Sequence, residues 1–333
     1  MSTLQQFGND TSTAEIVDYT VSNWVTRTSA ADNSWRAIAW NGTVFAVVAN
    51  SGTGNRVMTS PDGITWTSRT SAADSNWLGI AWNGTVFAAV GESAAVMTSP
   101  DGITWTSRTG VANNWFGIAW NGTVFAAVSS NGTGNRVMTS PDGITWTSRT
   151  SAADNVWIEI AWNGTVFVAV GQSGTGNRVM TSPDGITWTS RTSAADNDWR
   201  GIAWNGTVFA AVSETGTGNR VMTSPDGITW TSRTSTADNN WQAVAWNGTL
   251  FVATASSGSG DRVMTSPDGI TWTSRASASD NSWESIAWNG LGTGTTLLLP
   301  AAGTGSVFAS VRADGSSTLK VMTCHFSKFG SPT

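Results

Sequence analysis

The chain has 333 residues and a formal net charge of −5, and only 12% of its residues are charged. A weakly acidic protein has no basic field that attracts nucleic acid or an anionic membrane, so we expect no nucleic-acid partner and no membrane insertion. The single cysteine excludes an internal disulfide and a CxxC metal site, and no apolar run approaches the length of a membrane span. Tryptophan is unusually common, with 21 copies beside one tyrosine and one histidine.

The N-terminal stretch, residues 1–17, is polar, and we interpret it as a flexible or attachment arm. It lacks the basic start and apolar core of a secretory signal, so the sequence predicts synthesis in the cytoplasm without a signal peptide. A β-strand is predicted next, at residues 21–28 (VSNWVTRT).

From residue 35 onward the chain repeats one unit. The tetrapeptide AWNG recurs in steps of 42 residues, with one step of 38, and its Trp stands at 40, 82, 120, 162, 204, 246 and 288. Each unit holds four strand candidates, which in the first unit read WRAIAW, TVFAVVA, RVMTS and ITWTSRT. Asn-Gly predicts a two-residue hairpin with φ > 0 at both residues, and SPDG predicts a type I turn. Four strands in about 42 residues is the spacing of a propeller blade, and the alternative, a solenoid, needs caps at both ends.

The two ends of the chain favour the propeller over the solenoid. The last unit lacks SPDGITW and supplies three strands, and the N-terminal segment supplies only a fourth. We therefore predict an all-β, seven-bladed β-propeller over residues 18–328, with four antiparallel strands per blade, closed when residues 21–28 pair with 320–324. Closure removes the exposed sheet edges of a linear array. Residues 291–306 are then an insertion in the last blade, which either docks a partner or covers the seam, and residues 329–333 are a tail.

The turn motif SPDGITW resembles the Asp-box, or BNR-type, repeat, with one residue fewer between Asp and Gly. The larger pattern W-x-x-IAWNGTVFAAV…VMTSPDGITWTSRT is similar to propeller repeats of bacteriophage tail and virion proteins and of bacterial lectin-like proteins. The resemblance implies a propeller fold in which the Asp-box stabilises a turn away from the ligand site. The resemblance implies this structural role for six aspartates: Asp62, Asp101, Asp142, Asp184, Asp226 and Asp268.

Sialidases also carry Asp-boxes on propellers, so the resemblance calls for a test of the enzyme hypothesis. Their chemistry needs a tyrosine nucleophile, an acid/base aspartate and three clustered arginines. Here the one tyrosine is Tyr19, and the arginines outside the repeat pattern belong to different blades: Arg36, Arg200 and Arg312. Cys324 and His325 are adjacent, so on a strand they point to opposite faces and do not ligate one metal. We expect no catalytic residue, no metal and no cofactor.

Repeated charges flank the loops between the predicted blades. An arginine follows each fourth-strand tryptophan, and an aspartate lies in most of the loops that lead to the next blade. In the first unit Arg69 and Asp74 are predicted to form a structural pair across this loop. The alternative is a ring of equivalent anion or sugar sites.

Comparison of the seven copies shows where they vary, and counting from the Asn-Gly turn places the varied positions at the opposite end of each blade. This rim is the predicted ligand surface, although neutral drift at exposed positions is the alternative. One candidate set follows the first-strand tryptophan: Arg36, Leu78, Phe116, Ile158, Arg200, Gln242 and Glu284. A second set lies near the end of the second strand: Asn50, Glu92, Ser130, Gln172, Glu214 and Ser256. The first-strand tryptophans start at this rim and either stack on a sugar or form core: Trp35, Trp77, Trp115, Trp157, Trp199, Trp241 and Trp283.

These observations favour a non-catalytic binding or display protein that recognises carbohydrate at several equivalent sites, since a rigid disc with many weak sites gains avidity. The resemblance places it on a phage virion or tail, facing the extracellular side, with cell-surface glycans or other virion proteins as partners. A purely structural or decoration protein without a ligand is the alternative, and a sialidase-like glycoside hydrolase is a third.

Overall fold

The computed structural model describes residues 24–288 and the backbone of two further strands, 308–312 and 320–324, with the backbone alone at Val25. Several predicted features lie outside the described residues: the arm at 1–17, Tyr19, the insertion at 291–306, His325 and the tail at 329–333.

All regular structure in the described part is β-strand. Strand β1 spans Trp24–Thr28. Each of the next six units contributes four consecutive strands: β2 (Trp35–Trp40), β3 (Phe45–Ala49), β4 (Val57–Ser60), β5 (Thr67–Arg69); β6 (Trp77–Trp82), β7 (Phe87–Gly91), β8 (Ala95–Ser99), β9 (Thr106–Thr109); β10 (Trp115–Trp120), β11 (Phe125–Ser129), β12 (Val137–Ser140), β13 (Thr147–Arg149); β14 (Trp157–Trp162), β15 (Phe167–Gly171), β16 (Val179–Ser182), β17 (Thr189–Arg191); β18 (Trp199–Trp204), β19 (Phe209–Ser213), β20 (Val221–Ser224), β21 (Thr231–Arg233); β22 (Trp241–Trp246), β23 (Phe251–Ala255), β24 (Val263–Ser266), β25 (Thr273–Arg275). The last unit contributes β26 (Trp283–Trp288), β27 (Phe308–Arg312) and β28 (Lys320–Cys324).

The prediction of a seven-bladed propeller needs a correction. Six blades are complete repeat units, each an antiparallel sheet of four strands consecutive in the chain. The remaining sheet is composite, in the order β1-β28-β27-β26, and its outer strand β1 comes from the N-terminal end of the described residues. Between β27 and β28 of this sheet, Ser310 pairs with Met322. The structure therefore shows six repeat blades and one composite sheet that joins the two ends of the chain.

The inner strands form a closed ring. The first strand of every blade contacts the first strand of the next, and β26 of the composite sheet contacts β2. The predicted pairing of the N-terminal strand with residues 320–324 is confirmed. Strand β1 lies antiparallel to β28, with Trp24 opposite Cys324 and Thr28 opposite Lys320.

The apolar core lies between neighbouring sheets, because side chains alternate along each strand. Ala46, Val48 and Val57 of the first blade pack against Trp77 and Phe87 of the second, and this cluster recurs around the ring. The first-strand tryptophans are 0–1% exposed. Burying one such side chain removes on the order of 150–250 Å² from water and contributes up to roughly 4–6 kcal/mol. Tryptophan is therefore abundant because it fills the space between blades.

The SPDG turns are held by their serine and aspartate. Oδ1 of Asp62 accepts hydrogen bonds from the backbone N–H groups of Ile64 at 2.8 Å and Thr65 at 3.0 Å, and the Ser60 hydroxyl donates to it at 3.0 Å. Partial burial raises the pKa of Asp62, but the hydrogen bonds from Thr65, Ile64 and Ser60 outweigh it and hold the pKa below its ordinary value. The turn stabilisation is thus present at neutral pH and is lost as the pH falls through this lowered pKa.

The Asn-Gly connections differ from the predicted two-residue hairpins. Trp40 pairs with Phe45, so the loop holds four residues, and only Gly42 has a positive φ, at 99°. The Asn41 side chain explains the difference, because its Oδ1 accepts hydrogen bonds from the backbone N–H groups of Thr43 at 2.9 Å and Val44 at 2.7 Å. The asparagine builds the turn with its side chain rather than by adopting a left-handed backbone.

The predicted pair of Arg69 and Asp74 does not form. Nε of Arg69 donates to the Thr59 hydroxyl at 2.8 Å, within its own sheet. Asp74 instead accepts a hydrogen bond from the backbone N–H of Gly54 at 2.6 Å, and its Oδ1 lies 3.7 Å from Nε of Arg56. The inter-blade aspartate therefore ties the Gly-rich loop of one blade to the segment that leads to the next.

We expect Asp74→Ala to lower the free energy of unfolding by about 1–2 kcal/mol, because a backbone N–H loses a charged acceptor at a half-exposed site. Urea unfolding followed by tryptophan fluorescence measures this change. Asp74→Asn keeps an acceptor oxygen and should lose less. An Asp74→Ala protein that unfolds at the wild-type urea concentration would show that the contact contributes nothing.

Candidate functional site

A β-bulge near the start of each inner strand positions the first candidate set. In the first blade Trp35 pairs with Ala49 and Ala37 pairs with Val48, so Arg36 has no partner in the ladder. The same irregularity occurs in the inner strand of the other blades and of the composite sheet. A bulge leaves one residue unpaired and redirects its side chain. The most variable residue of the repeat is thus the bulged residue.

The bulged residues converge on the ring axis rather than spreading over a rim. They line a cavity of about 220 Å³ between the inner strands. In most of those strands the two residues that follow the bulged residue line the cavity as well. The converging residues are Arg36, Leu78, Phe116, Ile158, Arg200, Gln242 and Glu284. The sequence found these residues but placed them on separate blades of a disc surface, because neither the four-residue hairpin nor the bulge was visible in it.

Polar side chains in the axial cavity form a connected network on one side. Nε of Arg200 lies 2.7 Å from Oε2 of Glu214, and Nε2 of Gln242 donates to Oε1 of Glu214 at 2.6 Å. Gln242 also donates to the Ser256 hydroxyl at 2.9 Å. With its carbonyl oxygen turned to Arg200, the Gln172 amide accepts from Nε at 2.9 Å. The network therefore spans three neighbouring blades.

A second ion pair joins the first blade to the composite sheet. Nη1 of Arg36 lies 3.1 Å from Oε2 of Glu284. Arg36 and Arg200, which the sequence assigns to different blades, thus face the same cavity, and each has a carboxylate partner.

The second candidate set divides into two groups. Gln172, Glu214 and Ser256 join the polar network described above. Glu92 accepts a hydrogen bond from Nδ2 of Asn76 at 2.8 Å, outside the cavity lining. For Asn50 and Ser130 the contacts are backbone ones, since their carbonyl oxygens accept from Arg56 at 3.1 Å and Arg136 at 3.0 Å. The first group also lies outside the cavity lining, but it contacts the lining residues Arg200 and Gln242.

The first-strand tryptophans are not ligand contacts. Each is buried, and each indole N–H is satisfied by a carbonyl four residues earlier, as in Trp157 to Ala153 at 3.0 Å. A sugar ring cannot stack on a side chain that has no exposed surface. These tryptophans are core residues, and the interpretation that they stack on a sugar is corrected.

Sequence comparison missed one residue of the cavity, Glu159. Its position, directly after the bulged residue, is otherwise occupied by small side chains: Ala37, Gly79, Gly117, Gly201, Ala243 and Ser285. These are small because inner strands approach closely there, and a Cβ on Gly79 would collide with the carbonyl oxygen of Phe116. The signal that could have identified Glu159 is a charged residue at a repeat position where the other copies have a small one.

The Glu159 carboxylate lies over Gly117 of the preceding blade, where a Cβ would come within 2.8 Å of Oε1. Oε1 accepts a hydrogen bond from the backbone N–H of Ile160 at 3.0 Å. Burial raises the pKa of Glu159 to about 7, and the hydrogen bond from Ile160 opposes this only in part. Among the described residues no cationic group lies within ion-pair distance of it.

We expect Glu159→Ala to stabilise the protein above neutral pH by up to about 3 kcal/mol, because each pKa unit corresponds to about 1.4 kcal/mol. The raised folded-state pKa means that the folded state holds its proton more tightly than the unfolded state does. The cost of Glu159 is therefore absent at acid pH and grows as the pH rises from the unfolded pKa to about 7. Unfolding curves from pH 4 to 8 test this, with Glu92→Ala, which removes a glutamate outside the cavity lining, as the control.

The described residues contain no group of three or more His, Cys, Asp and Glu side chains arranged to hold a metal ion. Within the same residues no helix has the length and apolarity needed to cross a membrane.

Comparison with known proteins bears on the fold. No protein-family model and no curated protein matches the chain. Among solved structures, the virginiamycin B lyase of Staphylococcus aureus is 10% identical with a TM-score of 0.70, covering 90% of this chain and 99% of its own. The chain has a β-propeller repeat fold. A structure described as YCF48 bound to D1 peptide is 15% identical with a TM-score of 0.66, covering 95% of this chain and 100% of its own. YCF48 from Cyanidioschyzon merolae is 16% identical with a TM-score of 0.61, covering 91% and 98%. At these identities the similarity of this propeller to them concerns the fold alone.

Proposed function

We propose that this β-propeller is a non-catalytic binding protein with one ligand site, the axial cavity. The observation that carries the proposal is the position of the variation: the repeats are nearly uniform, and the residues that differ most between them meet in one enclosed space. Drift at exposed positions would scatter differences over the outer surface, where the SPDG and Asn-Gly turns instead repeat almost without change.

Carbohydrate is the ligand class that we propose. The polar side of the cavity presents the Arg200 guanidinium and the Gln242 amide, which the Glu214 carboxylate outside the lining holds in place. Such groups recognise hydroxyls with little loss of side-chain freedom on binding. The apolar side, with Leu78, Phe116 and Ile158, offers a surface for the C–H face of a sugar ring. Because the first-strand tryptophans are buried, a single axial site replaces the several equivalent sites that the sequence suggested.

A non-catalytic role is proposed from the composition of the cavity. Its lining residues in the described part of the chain include no His, Cys or Tyr, and Ser285 is the hydroxyl among them. Both arginines are paired with carboxylates. The structures of similar fold include one with a bound peptide and one of a lyase, so the fold alone does not decide between binding and catalysis.

We also propose that the SPDG turns are Asp-boxes and that the protein is displayed on a phage virion or tail, facing outward. The six aspartate-held turns and the similarity of the repeat to virion propellers support this. The Asp-box aspartates then have a structural role at the uniform end of the blades.

A glycan array followed by calorimetry tests the proposed function. We expect binding at one site per chain that is lost in Arg200→Gln, because this change breaks the network at its centre. Ile186→Ala, on an exposed turn, is the matched control and should bind normally. If no glycan on the array bound, the purely structural alternative would be favoured. Binding of a glycan at several sites per chain would contradict the axial site.

A further inference from the structure

Glu159 is a carboxylate in the axial cavity whose charge nothing described neutralises. The other acidic lining residue, Glu284, is paired with Arg36, and Arg200 is paired with Glu214 outside the lining. An uncompensated carboxylate removed from water is costly, so proteins rarely keep one without a function for it. The repeat itself offers alanine or glycine at this position in five other copies, which shows that the fold does not need the charge.

The surroundings of Glu159 leave its charge available to a ligand. Its strand, β14, packs against β10, β11, β15 and β18. Of these, β10, β11 and β15 carry no titratable residue, and β18 carries Arg200, which is engaged by Glu214 and Gln172. Among the described lining residues the remaining charges are Arg36 and Glu284, which pair with each other. Glu159 as a residue is only partly buried and lines the cavity, so a group in the cavity can reach it.

The neighbours of Glu159 in the cavity are apolar. The bulged residues of β6, β10 and β14 are Leu78, Phe116 and Ile158, which form one continuous side. The carboxylate rests over Gly117, directly after Phe116 in the chain. Phe116 lines the same cavity, and the face of an aromatic ring attracts an ammonium ion in addition to the attraction of the carboxylate.

We propose that the axial cavity binds a ligand bearing a primary ammonium group, which pairs with Glu159 while its carbon skeleton packs against Leu78, Phe116 and Ile158. The inference rests on the proposed function in that it uses the same axial site, and it specifies the ligand as an amine. In the carbohydrate class this selects sugars with a free amino group over neutral sugars. Binding of the ammonium also removes the cost of the buried charge.

Calorimetric titration of the full chain with two probe pairs tests this inference. The first pair is methyl β-D-glucosaminide and methyl β-D-glucoside, which share the sugar and differ in the amine. The second pair is 2-phenylethylammonium and 2-phenylethanol, which share an apolar body. The measurements are made at pH 7.5, just above the pKa of about 7 that burial gives Glu159. We expect each amine to bind about tenfold or more tightly than its neutral partner, as a charge-assisted contact provides.

Glu159→Gln should abolish this preference, so that each amine binds no more tightly than its neutral partner. Glu159→Ala is the second variant, since alanine occupies the same position at Ala37 and Ala243. Glu92→Gln, whose side chain lies outside the cavity lining, is the matched control and should keep the preference. The affinity for 2-phenylethylammonium should also fall about tenfold from pH 8 to pH 6, as Glu159 takes up a proton.

The outcomes separate the two proposals. Equal affinity for amine and neutral probes, or a preference that survives Glu159→Gln, overturns the ammonium site, and binding of the neutral sugar then leaves the proposed function standing. Binding of 2-phenylethylammonium that depends on Glu159, with no binding of either sugar, supports the ammonium site and contradicts the carbohydrate class. No binding of either amine overturns the ammonium site.

Discussion

Replacing Trp199 by alanine should lower the free energy of unfolding by about 3–5 kcal/mol, the range for deleting a large buried aromatic side chain. Trp199 has no exposed surface and packs among Val168, Phe209 and Met222 between two blades. Its indole N–H donates to the carbonyl oxygen of Ala195 at 3.1 Å, so the substitution also leaves that acceptor without its partner. Equilibrium urea unfolding, followed by circular dichroism, measures the loss.

Ile186→Ala is the control for Trp199→Ala. Ile186 is 46% exposed on the turn of the preceding blade, and its removal should change the stability by less than about 0.5 kcal/mol. Trp199→Phe should fall between the two, since it keeps most of the apolar contact and loses the hydrogen bond. If Trp199→Ala instead unfolded like the wild type and lost ligand binding, the tryptophans would be recognition residues rather than core.

Deleting residues 1–28 should cost at least about 4 kcal/mol of stability, because it removes a large buried side chain and the outer strand of the composite sheet. Trp24 is 9% exposed and packs with Val252, Val263, Trp283 and Ile286. Without β1, strand β28 becomes an open edge that can pair with another chain. Urea unfolding should show the loss of stability, and size-exclusion chromatography should show association.

A chain that lacks only residues 1–23 is the control for this deletion, because it retains β1. The difference in stability between the two truncated proteins isolates the contribution of Trp24–Thr28. Equal stability of the two proteins, both monomeric, would mean that the ring does not depend on the strand from the N-terminal end.

The repeat made much of the fold predictable from sequence. The strand positions, the four-stranded sheets and the pairing of residues 24–28 with 320–324 follow from counting identical motifs, because strand and turn chemistry is local. The composite last sheet also follows from the missing SPDGITW, whereas the predicted number of seven blades is corrected to six repeat blades beside this sheet.

The candidate site was less predictable, because small backbone irregularities decide where side chains point. The Asn41 side chain lengthens the hairpin, and the bulge at Arg36 then turns the variable residue toward the axis. Both depend on hydrogen bonds that strand patterns do not encode. Comparison of the copies identified Arg36 and Arg200 as variable, but it could not show that they share a cavity. Variability alone does not identify Glu159, because its signal is a single charged residue at a position where the other copies have Ala, Gly or Ser.

The joining of the first strand to the last sets an order for biosynthesis. Strand β1 is synthesised before its partner, which begins at Lys320, so the two cannot meet until the six intervening repeat blades have been translated. At roughly 5–20 residues per second this delay is about 15–60 s. The six repeat blades can form one after another during that time, while the edge that β1 will cover does not yet exist. A prematurely terminated product therefore lacks the seam altogether, and proteases or chaperones can distinguish it from the finished ring.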